Sequence, residues 1–194
     1  MTARTGMATA IETLRSWTEA GTADYALAGV TYWDGDQLQA VLDRCREDTR
    51  RQPLMVVADV NESGVSIYQD YYFDGGHWEE ASGGTTVWVV EDSTGANVGT
   101  ADYTVNYQAG HLRFTADTAG SAYYLTGRRY DLNRAAAEVW RRKAAHVASR
   151  TDWQSDNHKV TASQMQKQYL AMAVSYEKQA PARFVRMRRV DINP

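Results

Sequence analysis

Of the 194 residues only one, Cys45, is a cysteine. An internal disulfide and a cysteine-rich metal site are therefore excluded, and folding needs no oxidation. No apolar run approaches the length of a membrane span, so the chain is expected to be soluble as made. The opening Met-Thr-Ala-Arg-Thr-Gly-Met lacks the continuous apolar stretch of a secretory signal. Glycines occur, but no P-loop pattern, no dinucleotide fingerprint opening a helix and no Gly-x-Ser-x-Gly elbow. The four histidines, His77, His111, His146 and His158, are scattered without metal-ligand spacing. No metal, no cofactor and no enzymatic activity are expected. Repeats and low-complexity stretches are absent too.

What is present is enough apolar material for a real core, at 43% hydrophobic residues against 23% charged. The length suits one domain, or one carrying a substantial insertion. The formal net charge of -3 hides a segregation. Residues 54–127 hold ten acids and one base, Arg113, whereas 128–194 hold fourteen bases and six acids. Faces of opposite sign suit contact between subunits, or contact with nucleic acid on the basic side.

The ends read helical and the middle reads β. Met7, Ile11, Leu14 and Thr18 recur at helical spacing, Thr9 and Glu12 have the form of a capping box, and Gly21 is a stop signal. A Tyr-rich loop with Trp33 follows and is expected to pack. Asp34 to Asp36 open a second helix whose stripe is Leu38, Val41, Leu42 and Cys45; Glu47, Asp48 and Arg51 face outward and Pro53 ends it. Cys45 reads as a small core hydrophobe.

From Leu54 the period changes to that of strands: 54–60, 65–73, 87–90, 98–107, 111–114 and 121–125, separated by turn signals, which predicts an antiparallel sandwich or small barrel. From Tyr130 the helical period returns with Leu132, Ala136, Val139, Trp140, Lys143 and Val147, flanked by Arg134, Arg141 and Arg142. Trp153 is expected to plug the helix junction. Thr161 with Gln164 opens a last helix marked by Met165, Tyr169, Met172, Ala173 and Tyr176, which Pro181 interrupts.

The predicted fold class is α+β, a four-helix bundle with an antiparallel β module inserted between the second and third helices. The divisions are 1–53 and 128–180 for the two helical halves, 54–127 for the β module and 181–194 for a basic tail.

Two clusters invite a chemical reading. Glu79 and Glu80 beside His77 and Trp78 could pass for a glycosidase pair, but adjacent residues on a strand point to opposite faces and cannot flank one bond. The aromatics of the β region, among them Tyr68, Tyr71, Tyr72, Trp78, Trp88, Tyr103 and Tyr107, either form a sugar-binding face or fill the β core. The last residues are basic and apolar by turns: Arg183, Phe184, Val185, Arg186, Met187, Arg188, Arg189, Val190 and Ile192. Such a segment reads as a docking tail whose arginines meet carboxylates or phosphates, and whose alternation fits a strand added to a partner's sheet.

Several stretches resemble the head-to-tail connector proteins of tailed bacteriophages. They are Tyr130-Asp-Leu with Ala135 to Ala137, Thr151-Asp-Trp153, Val160-Thr-Ala-Ser-Gln164, Leu14-Arg15, Gly76-His-Trp-Glu79 and Gly110-His-Leu-Arg-Phe114. The resemblance implies a helical connector fold and a structural virion protein of the neck, made in the host cytoplasm. It implies a ring, usually twelvefold, beneath the portal protein ring, continuing the channel through which genomic DNA passes and presenting a surface to a further neck or tail protein. The tail from 181 onward would dock on the portal, and Arg134, Arg141 and Arg142 would sit at subunit interfaces. The β insertion is longer than in the smallest such proteins. A tail terminator, or a carbohydrate-binding β module with helical support, is the alternative.

Overall fold

The computed structural model describes residues 3–81, 87–148, 153–155 and 158–181, with the backbone alone for 153–155 and 158–160. A 3-10 turn, Thr5–Met7, leads into α1, Ala8–Thr18. Met7, Ala10, Ile11, Leu14 and Thr18 are buried, as their spacing requires. The proposed capping box does not form, because Thr9 Oγ1 donates instead to Glu80 Oε1 at 2.5 Å. Glu19, in left-handed conformation at φ 50°, ends the helix ahead of Gly21. A short hairpin, β1 (Tyr25–Leu27) with β2 (Val30–Tyr32), brings Trp33 into the core. In α2, Gly35–Arg44, the Asp34 carboxylate accepts from the Gln37 N–H at 2.8 Å, the cap its position announced.

Here the structure departs from the sequence pattern. The helix does not run to Pro53; it stops at Arg44, and Arg46–Pro53 form a strand, β3. Its partner is β9, Tyr123–Tyr130, placing Glu47 opposite Arg129 and Asp48 opposite Arg128. Both pairs close as ion pairs, at 2.7 Å and 3.6 Å. Opposite charges directly across a ladder stabilise that register. A local sequence compatible with helix has yielded to a partner about eighty positions away.

The remaining strands are β4 (Met55–Val60), β5 (Ser66–Tyr72), β6 (Val89–Asp92), β7 (Tyr103–Asn106) and β8 (His111–Phe114). They form two antiparallel sheets, β3-β9-β6 and β4-β5-β8-β7. Tyr71, Phe73, Trp78, Trp88, Val90, Tyr103, Leu112, Phe114 and Leu125 build the apolar core that these sheets share. Their rings meet edge-on, as in Tyr71–Phe114, Phe73–Trp78 and Trp78–Trp88. Gly127 lets them close: a Cβ there would stand 3.1 Å from the Trp78 ring.

After β9 come α3 (Leu132–Ala148), a hairpin of β10 (Trp153–Ser155) with β11 (His158–Val160), and α4 (Ala162–Gln179). The fold is mixed α+β, but the expected four-helix bundle is not what forms. The helical core draws its buried residues from α1, α2 and α3 and the adjoining Trp33, Cys45 and Tyr130. In α4 only Ala162 and Ala173 are buried, and it lies against α3 as a flanking helix. Its expected stripe is partly outward, with Met165 and Met172 exposed. The apolar residues of α4 are spread around its circumference, so no single face is apolar enough to enter the core. The strands β3 and β9 run directly out of α2 and into α3, so the sheets start at Arg46, ahead of residue 54, and end at Tyr130, past residue 127. The role given to the Trp153 side chain lies outside the described residues.

Leu125, fully buried, and Met172, exposed, separate core from periphery. Leu125→Ala should destabilise by about 3 kcal/mol and Met172→Ala by less than about 0.5 kcal/mol. Urea midpoints lowered equally by the two would place α4 in the core instead.

Candidate interaction surfaces

The 77–80 segment stands where the helical and β cores meet. It is held by backbone bonds to β9, with Tyr130 N–H donating to His77 O at 3.1 Å and Glu79 N–H to Arg128 O at 2.8 Å. Glu80 N–H reaches Gly6 O at 2.9 Å, tying the same segment to the first helical turn. The two carboxylates diverge, as adjacent residues on an extended segment must. Glu80 takes the Thr9 hydroxyl, while Glu79, 3% exposed, turns inward.

Glu79 accepts from the Tyr130 hydroxyl at 2.5 Å and from Arg4 Nε at 3.0 Å. Arg4 also donates to Asp43 through both terminal nitrogens, at 3.1 and 2.6 Å. A buried carboxylate is costly unless paired, and here every partner is supplied by the chain itself. Burial, then the Glu79 carboxylate, pushes the Tyr130 hydroxyl well above its ordinary value. The Asp43 carboxylate does most to raise the Arg4 guanidinium further above its own. Glu79 and Glu80 therefore do not face one another across a space for substrate. What looked most site-like in the sequence is a junction.

Three of the residues that make these junctions were invisible to pattern reading. Arg4 lies in a short N-terminal stretch with no motif, Tyr130 sits at a strand end, and Lys143 reads as part of an apolar stripe. Lys143 Nζ is buried, donates to the Thr18 and Glu19 carbonyls at 2.9 and 3.1 Å, and meets Asp24 at 2.6 Å. It satisfies the exposed carbonyl end of α1, where a cation is favoured.

Beside His77 lies a cleft of about 160 Å³, lined among others by Trp17, Arg129, Asp131, Asn133 and Pro181. The Trp17 ring meets His77 edge-on at 5.9 Å and stacks on Tyr176 of α4 at 5.8 Å. Burial pushes the His77 imidazole below its ordinary value. Pro181, the last described residue, stands at the rim of this cleft. The tail itself, Arg183, Phe184, Val185, Arg186, Met187, Arg188, Arg189, Val190 and Ile192, lies outside the described residues.

The arginines assigned to subunit contact all lie on α3 with partners in their own chain. Arg134 approaches Asp131 at 3.8 Å, Arg142 holds Glu138 at 2.8 Å, and Arg141 pairs with Glu177, stapling α4 to α3. Each remains partly exposed, so each charge still contributes to the basic character of this side.

Two exposed apolar surfaces remain. Every residue of β4 is exposed, including Met55, Val56, Val57 and Val60, and Val65 extends the patch past the turn. On α4, Met165, Leu170, Met172 and Val174 are exposed. On α4 these fall on two sides, Met165 with Met172 and Leu170 with Val174; a contiguous apolar surface such as that of β4 marks a contact site. Among the described residues there is no group of three or more His, Cys, Asp or Glu side chains that could hold a metal, and no helix long and apolar enough to cross a membrane.

Two substitutions test the junction. Glu79→Ala should cost about 2–3 kcal/mol, clearly more than Glu80→Ala; equal losses would contradict the inward role of Glu79. A histidine whose folded value is depressed stabilises above its unfolded value and loses that contribution as pH falls below about 6.5. His77 has φ 59°, which Asn tolerates. His77→Asn should therefore weaken the loss of stability between neutral and mildly acid pH, read from urea midpoints at both; an unchanged loss would remove His77 as its source.

No family model, curated protein or solved structure matches the chain.

Proposed function

We propose that this chain is a non-enzymatic structural protein of a tailed-phage virion, the head-to-tail adaptor that rings the portal in the neck. The observation that carries the reading is the pairing of two exposed apolar surfaces, on β4 and on α4, with charge of opposite sign in the segments that bear them. A chain whose chemistry is spent on internal ion pairs while apolar strand and helix surfaces stay uncovered is built to be covered by other protein. The reading draws on this surface and on the sequence resemblance; it draws nothing from a four-helix bundle, which the fold replaces with a three-helix core.

Opposite charges would fix register between neighbouring subunits more than add affinity. Arg134, Arg141 and Arg142 would contribute to the basic side of that contact while keeping their partners in the chain. The tail from 181 would dock on the portal protein, its arginines meeting carboxylates. Genomic DNA would pass through the ring without sequence-specific binding, and a further neck or tail protein would bind the free face. A tail terminator or other neck protein shares these surface features. Of the aromatics singled out for sugar binding, Tyr71, Trp78, Trp88 and Tyr103 are buried in the β core, which favours the assembly reading, while Tyr72 is exposed and Tyr68 and Tyr107 are half-buried.

Mass photometry of the purified protein, alone and with candidate portal rings, is the direct test. A monomer that enters a ring-sized complex only with portal is expected; a folded monomer indifferent to portal contradicts the adaptor role. The double variant Arg186→Glu/Arg188→Glu should abolish that complex while leaving the thermal midpoint unchanged, and normal joining of head to tail by it would remove the tail from the mechanism.

A further inference from the structure

Resting on the ring reading, we propose that the β4–β5 hairpin of one copy packs against the outer stripe of α4 on the next copy, and that this contact closes the ring.

The hairpin is rigid and unfinished. In its sheet β4 is an edge strand, bonded only to β5. Its turn is set by Asn61, whose Oδ1 accepts from Ser63 and Val65 N–H at 3.0 and 2.9 Å, with Gly64 at φ 77°. Edge strands are ordinarily shielded by lysine, proline or a bulge. Here the register shifts between Val57 and Asp59, but no lysine or proline lies within the strand, and Met55 and Val60 are 64% and 61% exposed. The charges near the tip, Asp59 and Glu62, are both acidic and exposed.

The helix offers the complement. Lys167, Leu170, Val174 and Lys178 are all exposed, and their spacing of three, four and four puts them on one face. Ala173, fully covered, lies on the face toward α3. The stripe is apolar in the middle and cationic at both ends. From Lys167 to Lys178 it spans about 16 Å, and β4 spans about 17 Å. An apolar strand with acids at its tip thus fits an apolar helix stripe of matched length ended by lysines.

The occupant is a second copy because both halves of the contact are on this chain, on different surfaces and of opposite sign. β4 does not cover α4 within the chain, since all its residues are exposed. A contact between two different patches is heterologous, and heterologous contacts close into rings when the rotation allows.

The test is a cysteine pair, Val57→Cys with Val174→Cys, in the full chain; Cys45 is buried and stays. The protein is oxidised alone and after mixing with candidate portal rings, then run without reductant beside mass photometry of each sample. A ladder of covalent multimers from the double variant, absent from either single variant, is expected. A ring that forms without a ladder overturns this contact and leaves the adaptor reading standing. Neither ring nor ladder overturns both. A covalent dimer from Val57→Cys alone shows two-fold edge pairing of β4 and overturns the contact. As a second measure, Lys167→Glu/Lys178→Glu should reduce the ring fraction at least tenfold, and Asp59→Lys/Glu62→Lys in the same chain should restore it; an unreduced ring fraction counts against the contact.

Discussion

The antiparallel pairing of β3 with β9 is the constraint on which the rest of the molecule depends. One end of β9 places Leu125 in the β core, and the other places Tyr130 in the helical core. Because β3 follows α2 and β9 precedes α3, this one ladder fixes where the second and third helices stand relative to the sheets. The Asp131 N–H, donating to Cys45 O at 3.1 Å, closes the ladder just where both helices begin to diverge from it. A slip of one residue would turn Leu125 and Tyr130 to the wrong faces, and the ion pairs Glu47–Arg129 and Asp48–Arg128 hold the register against it.

The buried polar groups cluster around that ladder. Glu79 is carried there by backbone bonds to β9 and is neutralised by Arg4, which in turn grips Asp43 of α2. Lys143 repeats the device on α3, satisfying the carbonyl end of α1 and the Asp24 carboxylate. Each network joins segments far apart in sequence, and each would be a liability if one member were missing. Such groups tie distant elements into one arrangement.

The outer surfaces follow a different economy. The ion pair Arg141–Glu177 holds α4 to α3, and Arg142–Glu138 lies along α3 itself, without removing the net basic character of the two helices. The β4 edge and the α4 stripe stay apolar and uncovered within the chain. The folded core needs neither surface, so both stay free for the contacts proposed above.

The sequence by itself determined the local elements with strong periods or unambiguous turn chemistry. The stripes of α1 and α3, the Asp34 cap of α2, and the strands β4, β5 and β8 all lie where patterning put them, because a buried stripe or a closed turn leaves its mark within a dozen residues. The sequence left open whether the β aromatics fill a core, and only the packing shows that Tyr71, Trp78 and Trp88 do. Tertiary structure alone decided the rest. Residues 46–53 are helix-compatible in isolation and become a strand because their partner is β9. The apolar residues of α4 look like a core stripe, but the buried core is drawn from three other helices, with Tyr176 packed against its edge and Met165 and Met172 left exposed. Glu79 stood out in the sequence, but its pairing with Arg4 did not, since a pair 75 positions apart exists only once the ladder between them has formed.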